Sequence, residues 1–473
     1  MRYLKYGLVV MTVLALAFAA TTAFAKKNKG IKNVIIMISD GWGVNQIDAT
    51  SMYQYGKTGG QVYEKFPCKT SMSTYMAGDS YYSIARWSDF DYIKSDATDS
   101  AAAATTMSTG IKTYSGAIGV DVDKNDIKHA LEYAEELGKA TGVVSSVEFS
   151  HATPAAFVAH NVSRSNYSEI ANEMIYESAA DVIMGAGNPC VGHDGVYNGG
   201  FDGDGNPTFT GCKSWYGYIG GEDTWAEVVS GSVLGADANG DGVADEWAVV
   251  RTLEDFQALM SGETPDRVLG IPNAYQTLQY NRPPVNMDNC VPSSYGGLVC
   301  DPVPYYTPFN EGVPTLEEMT IAALNVLDND PDGLFLMVEG GAVDWAGHGN
   351  YSARLIEEQI DFNRAVEAAV AWVKANSNWG ETLFIVTGDH ETGYLDGPGS
   401  DPTWEPLVNN GAGNLPGMEW HSGSHTNQLI PFYAKGSAHR FFKKAAKEGD
   451  DPVQGSYMDN TNIGQIVIDL FTP

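Results

Sequence analysis

Residues 334–348 read L-F-L-M-V-E-G-G-A-V-D-W-A-G-H. The apolar run from Leu334 to Val338 ends at once in Glu339, with Asp344 and His348 close behind. A short apolar run without polar alternation is what a strand buried on both faces requires, and such strands belong to parallel sheets covered by helices on both sides. Three more runs share the design. Val34 to Ile38 is followed by S-D-G-W-G with Asp40, Gly142 to Val147 by E-F-S-H-A-T-P-A-A with His151 and Thr153, and Leu383 to Val386 by T-G-D-H-E-T-G with Asp389 and His390. Helical patterns lie among them. Asp126 to Leu137 stops at Gly138, a residue suited to the left-handed position after a helix, and Leu355 to Asn376 sets Ile356, Ile360, Ala369, Val370 and Val373 along one stripe. Strand, helix and strand in this spacing predict an α/β fold, with a central, mostly parallel sheet flanked by helices on both faces. In open parallel sheets ligands bind beyond the carboxyl ends of the strands, so the four polar segments are expected to converge.

At 473 residues the chain exceeds what one core normally holds. It opens M-R-Y-L-K-Y, runs apolar from Gly7 to Ala20 and reaches Ala23-Phe24-Ala25 ahead of two lysines, the parts of a secretory signal peptide over residues 1–25. Cleavage after Ala25 implies a periplasmic or secreted protein without a membrane anchor, the apolar stretch being short of the ~20 residues a span needs. The formal charge of −31 becomes more negative still when Arg2 and Lys5 leave. That argues against a nucleic-acid or anionic-membrane surface, since both partners are polyanions. Segments 26–185 and 313–473 carry the core pattern, whereas 186–312 is rich in Gly, Pro, Asn, Tyr and Cys and reads as a large irregular insertion. Five cysteines are too few for a disulfide scaffold, but Cys190/Cys212 and Cys290/Cys300 are near enough to pair, leaving Cys68 free and buried. Within the insertion, D-A-N-G-D-G-V-A-D sets Asp237, Asn239, Asp241 and Asp245 at calcium-loop positions, yet Ala248 stands where an EF-hand needs glutamate. A non-EF calcium loop and a plain Asx turn both fit. Asp202, Asp204 and Asn206 make a weaker second candidate.

An enzyme this acidic could act on anions only if local cations overrule its field, and metal ions would do so. Of nine histidines, His151, His348 and His390 follow strand ends, and His421 and His425 sit just before the apolar run Gln428 to Tyr433. Mixed carboxylate and imidazole ligands suit zinc, while carboxylate, hydroxyl and water suit magnesium. Each segment alone is an ordinary turn; together they point to one multi-metal site. Residues 96–110, D-A-T-D-S-A-A-A-A-T-T-M-S-T-G, then pose a choice at Ser100. Four alanines start a helix, and a serine or aspartate before them commonly caps it. A helix start also suits a serine that must lose its proton and attack an anion. On the residues alone both readings of Ser100, cap and nucleophile, stand open.

T-D-S-A behind a D-G-W-G strand end, H-A-T-P-A-A followed by Arg164, E-G-x-x-x-D-W-x-x-H, G-D-H-E-T-G and a late H-T-N together resemble bacterial alkaline phosphatases, in the family's order from about Val34 to Ala434. The resemblance implies an exported phosphoric monoester hydrolase, acting on small phosphate monoesters and releasing inorganic phosphate as a homodimer. It further implies one zinc on Asp344, His348 and His425, a second on Asp40, Ser100, Asp389 and His390, and a third ion, normally magnesium, on Asp40, Thr153 and Glu339. Arg164 would clamp phosphate with Asp99 orienting it, and Ser100 would carry a phosphoserine intermediate. Two positions depart from some members: His151 stands for aspartate and Trp345 for lysine. His151 removes a carboxylate that helps hold hydrated magnesium, so zinc becomes an alternative at the third site. Sulfatases need a C/S-x-P-x-R context that Ser100-Ala-Ala-Ala lacks, and the superfamily's phosphodiesterases commonly use threonine without the Arg164 clamp. A calcium-dependent surface protein is the reading from a different class, resting on the Asp237 loop alone.

Overall fold

The computed structural model describes residues 31–447 and 449–472. The expected signal peptide lies outside the described residues. Twelve strands form one sheet. In chain order they are β1 (Asn33–Ser39), β2 (Cys68–Ser73), β3 (Ala140–Glu148), β4 (Val182–Ala186), β5 (Val233–Leu234), β6 (Glu246–Val250), β7 (Val268–Gly270), β8 (Leu334–Gly340), β9 (Thr382–Thr387), β10 (Ile430–Gly436), β11 (Gly449–Asp451) and β12 (Gly455–Asp459). Across the sheet they run β11-β12-β2-β10-β9-β1-β8-β3-β4-β7-β6-β5. The run from β9 to β6 is parallel throughout, and β10 is antiparallel to both β9 and β2. All four apolar runs singled out above are central strands.

Every residue of β1, β8 and β9 is buried, and the pleat divides them between two cores. Val34, Ile36 and Ile38 pack with the helices Ser100–Thr109, Ala130–Glu135 and Thr461–Phe471. Ile35 and Met37 point the other way, into Val44–Tyr55, Leu316–Leu327 and Ser352–Asn376. Alternation between two apolar faces is why these strands show no polar period. Register aligns their ends: Ile38 lies beside Glu339 on one side and Thr387 on the other, and Glu339 beside Ser145.

Two expectations need adjustment. The helix expected over Asp126 to Leu137 starts only at Ala130, because Asp126 bridges to Val120 and the Ile127 amide bonds the Gly119 carbonyl. Gly138 does take the left-handed conformation, at φ 69°. The stretch 186–312 is not wholly irregular either, since β6 and β7 extend the sheet and helices Glu222–Ser230 and Leu253–Leu259 accompany them. At three and five residues, β7 and β6 are too short to leave a period in the sequence. Apart from β5, the 3-10 turns Tyr216–Ile219 and Met287–Asn289 and the small hairpin of Val291–Pro292 with Leu298–Val299, the rest is loop, with disulfides Cys190–Cys212 and Cys290–Cys300, while Cys68 is buried and free. Two buried ion pairs bind this region to the Ser352–Asn376 helix, Arg282–Glu357 at 2.6 Å and Arg354–Asp301 at 2.7 Å. No helix among the described residues is long and apolar enough to cross a membrane.

Candidate active site

Four adjacent strands, β9, β1, β8 and β3, deliver Asp389 and His390, Asp40, Glu339, and His151 with Thr153 to one end of the sheet. Gly41 makes the closest approach possible: it sits at φ 75°, and a Cβ there would lie 2.4 Å from the Asp344 Cα. Only glycine lets the turn after β1 lie against the short helix Ala342–His348.

Three imidazoles and one carboxylate crowd the first part of the site. His348 Nε2 lies 3.0 Å from His425 Nε2, and each lies 3.4 Å from an oxygen of Asp344. The rings of His390 and His425 stack at 3.6 Å. Their outer nitrogens are engaged, His348 Nδ1 by the Gly423 carbonyl at 2.7 Å and His425 Nδ1 by the Thr98 carbonyl at 2.8 Å. A ring whose Nδ1–H is held by a carbonyl presents the bare Nε2 inward, the usual arrangement of a metal-ligating histidine. Burial works to raise the Asp344 carboxyl, but His348, His425 and His390 outweigh it and hold it well below the carboxylate range. Against its own burial, His425 is raised to about 9 by Asp344. Burial and then His425 push His390 well below the ordinary imidazole value.

Beside this lie Asp40, Asp389 and Glu339, all fully buried. His390 Nε2 stands 3.1 Å from Asp389 Oδ2 and 3.5 Å from Asp40 Oδ1. Both Asp40 oxygens, Asp389 Oδ2, Glu339 Oε1, Thr153 Oγ1 and His151 Nδ1 are buried without a hydrogen-bond partner. So many orphaned oxygens in one place would be costly in a finished structure, and a cation is the group that satisfies those oxygens together. Burial, then Asp389, Asp344 and Glu339, raises Asp40 well above its ordinary value; burial raises Asp389 to about 6 and Glu339 to about 7. Ligand atoms of Asp344, His390 and His425, of Asp40, Asp389 and His390, and of Asp40, His151 and Glu339 each fall within 4.8 Å of one another. Divalent ions on these sets would reverse the strain on the acids.

Ser100 is the first residue of the helix Ser100–Thr109, and the cap is Asp99, whose Oδ1 accepts from the Ala102 amide at 3.1 Å. The reading of Ser100 as a cap is thereby corrected: aspartate one residue earlier already satisfies the free amide. The Ser100 hydroxyl instead points to His390 Nε2, 3.2 Å away. Asp99 also accepts from the Gly116 amide and from Arg164 Nη1, the latter at 3.1 Å. The second Arg164 nitrogen, Nη2, stands 3.1 Å from His151 Nε2. Burial and then Arg164 push His151 down to about 3, so it is a neutral acceptor. Ser100, His151, Arg164, Asp344, Trp345, His348 and His425 line a cleft of about 580 Å³, joined by Tyr280. Sequence reasoning missed Tyr280, whose hydroxyl donates to the Trp345 carbonyl at 2.9 Å; it lies in the insertion without a motif to flag it. Thr392, bonded to Asp344, was likewise missed. His421 does not reach the cluster and packs edge-on against Phe90.

The calcium-like loop turns on its own amides. Asp237 accepts from Gly240, Asp241 and Gly242, and Asp245 from Ala238 and Asn239. Among the described residues, the ligand groups close enough to share an ion do not include it.

The alkaline phosphatase family model matches residues 31–199 and 276–415. The chain belongs to the alkaline phosphatase family. It is an enzyme, a phosphatase, and its large mostly parallel sheet is the family's fold. It is 32% identical over 394 residues to alkaline phosphatase 3 of Bacillus subtilis (strain 168), covering 81% of this chain and 67% of that one. It is 34% identical over 379 residues to alkaline phosphatase H of Pseudomonas aeruginosa (strain UCBPP-PA14), covering 76% and 70%. The alkaline phosphatase structure from the Antarctic bacterium TAB5 superposes with a TM-score of 0.60 at 25% identity, over 94% of this chain and 100% of that one. His425 lies beyond the matched family residues, so its place in this phosphatase rests on the geometry above.

Proposed function

We propose that this phosphatase is an exported, metal-dependent monoesterase that works through a phosphoserine on Ser100. The observation that carries the reading is the set of orphaned buried oxygens on Asp40, Asp389, Glu339 and Thr153 beside the Ser100–His390 contact. Asp344, His348 and His425 would hold one zinc, and Asp40, Asp389, His390 and Ser100 a second. Asp40, Thr153 and Glu339 would share the third ion, with His151 beside it. When bound, the ions neutralise phosphate and favour the ionised serine. Magnesium and zinc both remain candidates for the third place. A TAB5 variant carrying aspartate in place of a histidine is described with magnesium bound in its M3 site, which supports reading His151 as the residue that sets this choice.

Arg164 offers a fork of two N–H donors to two phosphate oxygens, a match a lysine's point charge lacks. Asp99 fixes that fork. Ser100 Oγ bonds phosphorus as the bond to the departing alcohol breaks, and water then cleaves the Oγ–phosphorus bond to release inorganic phosphate. Trp345 and Tyr280 wall the cleft, where a lysine would add charge. Export follows from the signal-like residues 1–25 and would place the enzyme in the periplasm or outside the cell; a homodimer is proposed on the resemblance. Calcium on Asp237, Asn239, Asp241 and Asp245 would stiffen the insertion, so its removal should lower the melting temperature and leave turnover unchanged.

The test is phosphate release from an aryl monoester and the matching diester, before and after chelation. Monoester turnover should vanish with the metals, return with zinc and magnesium, and far exceed diester turnover. Turnover indifferent to chelation, or a preference for diester, would overturn the proposal.

A further inference from the structure

Away from the catalytic cleft, two imidazoles and two carboxylates meet below the loop that carries Arg164. His129 is completely buried, and its Nδ1 faces Glu132 Oε2 at 2.9 Å without making a hydrogen bond. Its other nitrogen, Nε2, lies 3.1 Å from the Ala159 carbonyl. His160 places Nε2 3.2 Å from the Ile127 carbonyl and 3.7 Å from the same Glu132 oxygen, and Nδ1 3.3 Å from Glu173 Oε1. The two rings stack at 4.1 Å.

Two arrangements satisfy these atoms. If His129 donates from Nε2 to the Ala159 carbonyl, Nδ1 carries a lone pair aimed at a carboxylate oxygen, and something positive must lie between them. A proton would serve, but giving His160 its second proton as well would stack two imidazolium rings face to face. One divalent cation removes the conflict, because it takes the lone pairs of both rings and an oxygen of Glu132, with the Ile127 carbonyl beside His160 Nε2 facing the same ion, while the outer nitrogens keep Ala159 and Glu173. That outer pairing, to a carbonyl and to a carboxylate, is the support that metal-ligating histidines ordinarily have. Separations of 2.9 and 3.7 Å bracket the roughly 3.4 Å between neighbouring ligands of a tetrahedral ion at about 2.1 Å. The catalytic cleft shows the same signature, with stacked His390 and His425 rings and the Nε2 atoms of His348 and His425 converging on Asp344. Glu132 and His160 keep side-chain exposures of 33% and 16%, which leaves room for an ion to enter and for water as a further ligand.

We propose that His129, His160 and Glu132 form a separate binding site for a borderline divalent ion such as zinc, with Glu173 fixing the His160 ring. Two imidazoles and a carboxylate favour zinc or cobalt over magnesium or calcium. The site holds the segment after the Thr153 turn to the helix Ala130–Glu135, and no step of catalysis passes through it.

Crystals of the full chain, its catalytic sites filled with zinc and magnesium, test this when soaked in zinc chloride and measured for anomalous scattering. A peak is expected among His129, Glu132 and His160, absent in His160→Phe, which keeps the stacked ring, and in Glu132→Gln. Metal analysis should show each variant short of one zinc per chain with phosphatase turnover unchanged. No peak there while the catalytic ligands are occupied, or equal zinc in the parent and both variants, would mean a protonated ion pair only and would overturn the inference. A peak there with none at Asp40 and Asp344 would keep the inference and count instead against the proposed function.

Discussion

The Ser100 hydroxyl stands 3.2 Å from His390 Nε2, at the first turn of a helix whose capping is done by Asp99. Division of labour between adjacent residues leaves the serine without a structural duty. Asp99 has three: it caps Ala102, receives the Gly116 amide and holds Arg164.

Removing Asp99 should therefore be felt twice. Asp99→Ala loses a cap worth ~1 kcal/mol and a charge-assisted bond besides, so stability should fall by roughly 1–3 kcal/mol. Arg164 loses its anchor as well, and KM for monoester should rise. Asp99→Asn keeps an acceptor for the cap and separates the effects, with stability near that of the parent but weakened phosphate binding. Urea unfolding alongside steady-state kinetics checks both, and equal KM in all three proteins would contradict the assignment.

His151→Asp exchanges a neutral acceptor of Arg164 for an oxygen ligand beside Asp40 and Glu339. Magnesium prefers oxygen, so half-activation should move to lower magnesium concentration and zinc should compete less well for that place. Superimposable magnesium titrations of variant and parent would show that His151 does not set the third ion.

Glu358 offers a pH prediction remote from the metals. It is buried on the long helix, and burial, then Asp361, raises it to about 8. An acid raised on folding stabilises fully below its unfolded value of about 4.3 and loses that contribution as pH rises through the folded one. Glu358→Gln removes the loss. The variant should gain on the parent by an amount on the order of a few kcal/mol between pH 5 and pH 8. A difference constant across that range would show that Glu358 ionises normally.

The strands and their chemistry were legible because burial on both faces leaves an uninterrupted apolar run, and the sheet's parallel order sends every following residue to the same end. Asp40, Glu339, Asp389 and His390 could be grouped on that ground alone. Tyr280 could not, because it comes from a segment whose strands are too short to show a period. The helix expected from Asp126 failed at its start, where three residues serve a bridge and a turn before the cap residue His129. His129 and His160 escaped notice for a different reason: they follow no strand run, and only the fold stacks them.

The central claim is that Ser100 is the nucleophile, and trapping it tests the claim most directly. Full-length enzyme, loaded with zinc and magnesium, is incubated with labelled inorganic phosphate at acidic pH, quenched, digested and sequenced by mass. Label should sit on Ser100 and vanish in Ser100→Ala. That variant should melt close to the parent, since it keeps the Asp99 cap and alanine is the better helix former. Residual turnover is expected from Arg164 and the remaining metal ligands, as binding alone sustains some catalysis where a nucleophile is deleted. Label on another residue, or near-parent turnover in Ser100→Ala, would contradict the account.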